Sequence, residues 1–176
     1  IARYHATLNP ASLMGEKGEI TVDDVLESRM IADPLHRLEC PLDNDGGFAI
    51  VVASEAVARN CRKAPVWILG GCEAMYTDHY QSITPNWISN ESQAVRTTAD
   101  KAFAMAGVSR DDIDTAGLYD CYPVTVARDL EEAGFCKLGE GAEMIRSGQL
   151  RLGGKMPVNT DDGLIARARG GDDEAF

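Results

Sequence analysis

Hydrophobic positions along this chain fall into short blocks whose period switches between that of a helix and that of a strand. Residues 1–19 read as a connector, with Asn9-Pro10 as a turn and Gly15 and Gly18 as breakers. Val22, Val25, Leu26 and Met30 then recur at helical spacing behind Thr21, which stands three residues before Asp24 in a capping-box pattern. The spacing predicts a helix over about 22–32, ended or bent at Asp33-Pro34. Phe48 to Ala53, after Gly46-Gly47, is a continuous apolar run suited to a buried strand, and Val66-Trp67-Ile68-Leu69 is a second. Ser54-Glu55 begins a helix between them that reaches about Asn60.

From Met75 to Asn90 the pattern is polar, aromatic and aperiodic, which predicts a long loop of the kind that often binds a ligand, with disorder as the alternative. Ser92 to Ala106 is helical, with Gly107 as its stop, and Ser109 to Asp112 begins another helical turn. A strand over Ala116-Gly117-Leu118-Tyr119 runs into a helix that Pro123 opens and Gly134 closes. A glycine-rich stretch over 139–155 with a short internal helix precedes a last strand, Met156 to Asn159, and Gly163 leads into a polar tail. Strands alternating with helices, with no internal repeat, predict one α/β layered domain.

Composition narrows the function. A chain of 176 residues can bury a core, and no apolar run reaches the roughly 18 residues of a membrane span. The opening residues lack a signal-peptide core, so a soluble cytoplasmic protein is the expectation. The chain does not start with Met, and a segment upstream of Ile1 is expected. A net charge of −11 argues against nucleic acid. Local basic groups can still meet an anionic ligand: Arg59, Arg62 and Lys63, or Arg146, Arg151 and Lys155, though such charges are more often a solvated surface. Cys40, Cys61, Cys72, Cys121 and Cys136 are widely spaced, and His5, His36 and His79 are scattered, so no metal site or disulfide framework is indicated.

Chemistry is expected where strand ends meet helix starts. The first such place is Tyr119-Asp120-Cys121-Tyr122, and the second is the polar turn from Asn159 to Gly163. A Tyr hydroxyl can move a proton if its surroundings tune it. Asp120 can orient that hydroxyl or simply cap the next helix, and Cys121 can be a nucleophile or a packed thiol.

Several of these stretches resemble one family. Ile20 through Leu35 is similar to a signature of bacterial lipid-transfer proteins of the sterol-carrier-protein thiolase type. Cys40-Pro41 with Asp45 to Val52, the Tyr119-Asp120-Cys121-Tyr122 motif continuing through Leu130 to Glu140, and Leu152 to Thr160 extend the match over nearly the whole chain. The resemblance implies a thiolase fold, layered α-β-α-β-α from two similar halves and usually dimeric. Residues 1–19 would connect from a missing N-terminal half, and residues 20–176 would be the C-terminal thiolase-like domain, truncated at its end.

It also implies action on a coenzyme A thioester at the β carbon–carbon bond, with no bound cofactor. Three departures bear on the reaction. Tyr119 stands where sterol-carrier-type thiolases carry His, Asp162 precedes Gly163 where the family has Gly-Gly, and Arg169 falls where a second catalytic His is expected. A Tyr at this motif is similar to the aldolase branch, which cleaves β-hydroxyacyl-CoA side chains in steroid breakdown, typically with a small OB-fold, zinc-ribbon partner. Tyr119 is then the expected catalytic residue, with Asp120, Cys121, Asn159, Gly163 and Arg169 in support. Two other readings stand beside it: a β-ketoacyl-CoA thiolase whose Cys lies outside this chain, and a non-catalytic acyl-CoA-binding or scaffold subunit. A half of such a sandwich would expose apolar surface and require a cover.

Overall fold

The computed structural model describes residues 1–10, 12, 14–41, 49–74 and 94–160. Helix α1, Ala2–Leu8, lies inside the stretch expected to be a bare connector. It forms because its inner face, His5 and Ala6, finds cover, and a short 3-10 turn at Gly15–Lys17 packs back on it. A side chain on Gly15 would place its Cβ 2.2 Å from the Ala6 carbonyl oxygen, so only glycine allows that approach.

Helix α2 is Val22–Glu27, with the expected reciprocal cap between Thr21 and Asp24. It stops five residues before the predicted end. Met30–Ala32 forms strand β1 instead and pairs antiparallel with Leu35–His36, strand β2, across the Asp33-Pro34 turn. The spacing of Met30 fits a helix, but the turn brings a partner strand within reach and pairing prevails.

The predicted strands at 48–53 and 66–69 are corrected. Phe48 lies outside the described residues, and neither 49–53 nor 66–69 joins a ladder among them. Their apolar side chains face outward, with Val51 91% and Val66 94% exposed. An apolar run records a demand for burial but does not supply the neighbouring strand that would meet it. Between them, helix α3 is reduced to Glu55–Ala58. The predicted loop at 75–90 lies outside the described residues.

Helix α4 is described over Ala94–Ala106 and ends at Gly107, whose φ of 71° is left-handed. Helix α5, Pro123–Glu132, opens on its proline as expected, and helix α6, Gly141–Arg146, packs on it. Arg110 links α4 to α5: it pairs with Asp100, lies 4.3 Å above the Phe103 ring and donates to the Ala133 carbonyl at 3.0 Å. The strands predicted at 116–119 and 156–159 meet as a single parallel bridge between Ala116 and Val158.

Leu130 from α5 is buried with Leu150, Met156 and Val158, and Ile113, Val126 and Phe135 pack against them. This cluster fixes α5 to the segment that carries Asn159. Leu130→Ala is expected to cost roughly 2–5 kcal/mol, the usual range for emptying a fully buried leucine site. Urea unfolding would measure it, and a loss below about 1 kcal/mol would mean the cluster is not the core.

Candidate active site

The site begins with an asparagine in an unusual backbone state. Asn159 has φ of 52°, a region asparagine tolerates better than most residues, and it is buried. Its main-chain amide donates to the Ala116 carbonyl at 3.0 Å, continuing the bridge from Val158. Its side chain then pairs with both main-chain groups of Leu118: Oδ1 accepts from the Leu118 amide at 2.8 Å, and Nδ2 donates to the Leu118 carbonyl at 3.0 Å. A side-chain amide here takes the place of one more residue of strand. It fixes the backbone immediately before Tyr119.

Beyond that clamp the chain turns into α5. Tyr119 is 61% exposed, whereas Asp120 is buried. Cys121 lies just ahead of α5, with Sγ 3.4 Å from Thr125 Oγ1. The backbone amide of Tyr119 lies close to the carboxyl of Asp129, one residue before the core leucine of α5. Burial pushes the Asp129 carboxyl up to about 6, helped by nearby Glu132 and opposed by Arg128 and by that amide. Arg128 and Glu132 are themselves an ion pair one helical turn apart.

Next to this strand end lies a cavity of about 510 Å³ between α1, α2 and α5. Its walls are mainly apolar, from Val22, Val25, Leu26 and Val126, and Asp120, Pro123 and Asn159 also line it. Arg3 and Arg151 bring positive charge to it, and Glu19 and Glu39 bring negative charge. Arg151 also lies 4.8 Å from the Tyr4 ring centroid and 3.6 Å from Glu19. Of the other basic groups that could meet an anion, Arg59 pairs with Glu55 at 2.6 Å, Arg146 with Glu143 at 3.7 Å and Lys155 with Asp111 at 3.2 Å. Arg151 is thus the member of those sets that reaches the cavity.

Tyr119, Asp120, Cys121 and Asn159 are therefore brought together at one strand end, although the cavity is lined by Asp120 and Asn159 and not by Tyr119 or Cys121. Gly163 and Arg169 lie outside the described residues.

A chain with this strand-to-helix turn can be set beside known proteins. Residues 74–173 match the family model described as thiolase C-terminal domain-like. The chain belongs to this family. Thiolase-like relatives agree with the match. The steroid side-chain-cleaving aldolase of Thermomonospora curvata is 34% identical over 96% of the chain and 43% of that protein. The 17-hydroxy-3-oxo-4-pregnene-20-carboxyl-CoA lyase of Mycobacterium tuberculosis is 34% identical over 94% of the chain and 43% of that protein. A solved structure of the Ltp2-ChsH2(DUF35) aldolase superposes with a TM-score of 0.86 at 34% identity, covering 96% of this chain and 44% of that one. The chain thus spans less than half the length of these thiolase-like relatives and shares their fold over that span. Among the described residues no helix is long and apolar enough to cross a membrane.

Asp129 and His5 were not picked out from the sequence. Asp129 left a faint signal, since it precedes Leu130 and follows Val126 by three, a charge at the edge of the buried stripe of α5. His5 left none, because its partners stand about 150 residues away in sequence.

The raised Asp129 carboxyl has a pH signature. Below its ordinary value of 3.8 it is neutral folded or unfolded, and above about 6 it is charged in both. Between those values the folded state binds the extra proton, so stability falls as pH rises through the window. Asp129→Asn, which keeps a carbonyl beside the Tyr119 amide, is expected to raise stability at pH 7 by about 1–2 kcal/mol after allowance for solvent screening. The gain should vanish near pH 4. Denaturant melts across that range test it, and parallel pH profiles for variant and wild type would refute the assignment.

Proposed function

We propose that this chain is the C-terminal portion of an acyl-CoA lyase that cleaves a β-hydroxyacyl-CoA by a retro-aldol reaction, with Tyr119 as its proton-transfer residue. The observation that carries the reading is an exposed tyrosine at a braced strand end, beside a largely apolar cavity that Asp120 and Asn159 help to line. The two aldolase-type relatives, which act on a steroid side chain and on a pregnene carboxyl-CoA, support the substrate class: a CoA thioester carrying a steroid or lipid side chain.

In this reaction the β-hydroxyl gives up its proton to a base, and the bond between the α and β carbons breaks. The β carbon leaves as a carbonyl compound, and the bonding pair passes into a thioester enolate that is then protonated at the α carbon. No acyl-enzyme forms, so no nucleophilic cysteine is required. Tyr119 can serve either proton transfer. The apolar walls suit an alicyclic side chain, and Arg3 and Arg151 offer guanidinium groups to the phosphates of coenzyme A.

The active assembly in this proposal is a homodimer, with a small OB-fold, zinc-ribbon partner as a further component. A two-component name for the structurally similar aldolase supports the second element. The outward-facing apolar residues at 50–52 and 66–69 support a covered assembly.

Removing only the hydroxyl tests the role of Tyr119. Tyr119→Phe should lower cleavage of a β-hydroxyacyl-CoA by roughly 10²–10⁴-fold, the usual contribution of a positioned acid or base, without changing the melting temperature. Full activity in that variant would refute the proposal. Release of a shortened acyl-CoA from a β-ketoacyl-CoA only when free CoA is added would establish thiolysis instead. Binding of acyl-CoA with no turnover of either substrate, partner present, would establish a binding subunit.

A further inference from the structure

His5 is buried in α1 with 1% of its surface exposed, and both ring nitrogens are engaged. Nδ1 lies 3.1 Å from the Asn159 carbonyl oxygen, and the Leu152 amide donates to Nε2 at 3.1 Å. A carbonyl only accepts and an amide N–H only donates. The proton therefore sits on Nδ1, and Nε2 presents its lone pair. The ring is neutral and held in one tautomer, with no nitrogen left to touch a substrate or a metal.

Burying an imidazole costs free energy unless its polar atoms are bonded, and here both bonds end on the segment that delivers Asn159. That segment is tied to itself as well: Met156 donates to the Gln149 carbonyl and Val158 to that of Leu150, each at 3.0 Å. A connected path follows. His5 holds the Asn159 carbonyl, the Asn159 side chain holds both backbone groups of Leu118, and Leu118 precedes Tyr119.

We infer that His5 is a positioning residue for the Tyr119–Asp120 end of the site, acting through Asn159. The kinetic part of its test rests on the retro-aldol reading, and the spectroscopic part does not.

Three variants of the full chain separate positioning from simple packing. An asparagine side chain brings its amide nitrogen near the place of Nδ1 and can keep the bond to Asn159. A glutamine brings its oxygen near the place of Nε2 and can keep only the bond from Leu152. Phenylalanine fills the space and keeps neither. In His5→Gln and His5→Phe, kcat for a β-hydroxyacyl-CoA should fall by about 10–100-fold with KM nearly unchanged, as expected for displaced reacting groups. His5→Asn should recover most of kcat.

The backbone amide resonances of Leu118 and Tyr119 should follow the same order, moving in His5→Gln and His5→Phe and returning in His5→Asn. Equal kcat in all three variants, or losses that track melting temperature instead of that order, would overturn the inference. If the wild-type chain cleaves no β-hydroxyacyl-CoA, the retro-aldol reading falls and the amide resonances alone decide the role of His5. Unmoved resonances would reject it.

Discussion

The amide of Asn159 grips both backbone groups of Leu118, and it does so from a left-handed backbone that few side chains accept. Much of the site is arranged around that grip. One end of it is set by the Ala116–Val158 bridge, and the other end delivers Tyr119 and Asp120 to the mouth of α5. Each hydrogen bond is worth only about 1 kcal/mol net. Their value is directional, because two bonds to one residue leave its peptide little freedom to rotate. The exposed Tyr119 is thus carried on a backbone far more rigid than its own accessibility suggests.

Around this clamp, polar and apolar groups divide the labour. Leu130, Leu150, Met156 and Val158 hold α5 against the strand ends without regard to direction. Asn159 supplies the direction, and Asp129 lies beside the Tyr119 amide in a partly buried setting that resists its ionisation. The cavity beside it gains apolar walls from α2 and α5, and charged groups from Arg3 of α1, from Glu19 just before α2, from Glu39 after β2, from Asp120 ahead of α5 and from Arg151 after α6. Oily walls and paired rim charges suit a ligand with a greasy body and an anionic handle.

How far these features could be read from sequence depends on how local they are. The reciprocal Thr21–Asp24 cap, the glycine stop at Gly107 and the proline start at Pro123 were all legible, since each is settled within four residues. So was the grouping of Tyr119, Asp120 and Cys121 at one turn. The end of α2 was misread because Met30 satisfies helical spacing and hairpin pairing alike, and only the chain beyond the turn decides between them. The runs at 48–53 and 66–69 have the composition of strands, but apolar character does not name a partner. Asn159 was legible as a polar turn residue but not as a clamp, and α1 was missed because its cover comes from the far end of the chain. The thiolase resemblance, by contrast, was carried by ordered motifs and needed no tertiary information.

The bond between His5 and Asn159 spans 154 positions, close to the full length of the described chain. A contact of that separation closes a long loop, and its entropic cost is repaid only once the intervening core has formed. This strand end therefore cannot exist as a locally folded fragment: α5 and its core can assemble first, but the segment that carries Tyr119 is completed only when His5 reaches Asn159. Completion of this strand end and completion of folding then coincide as one late event.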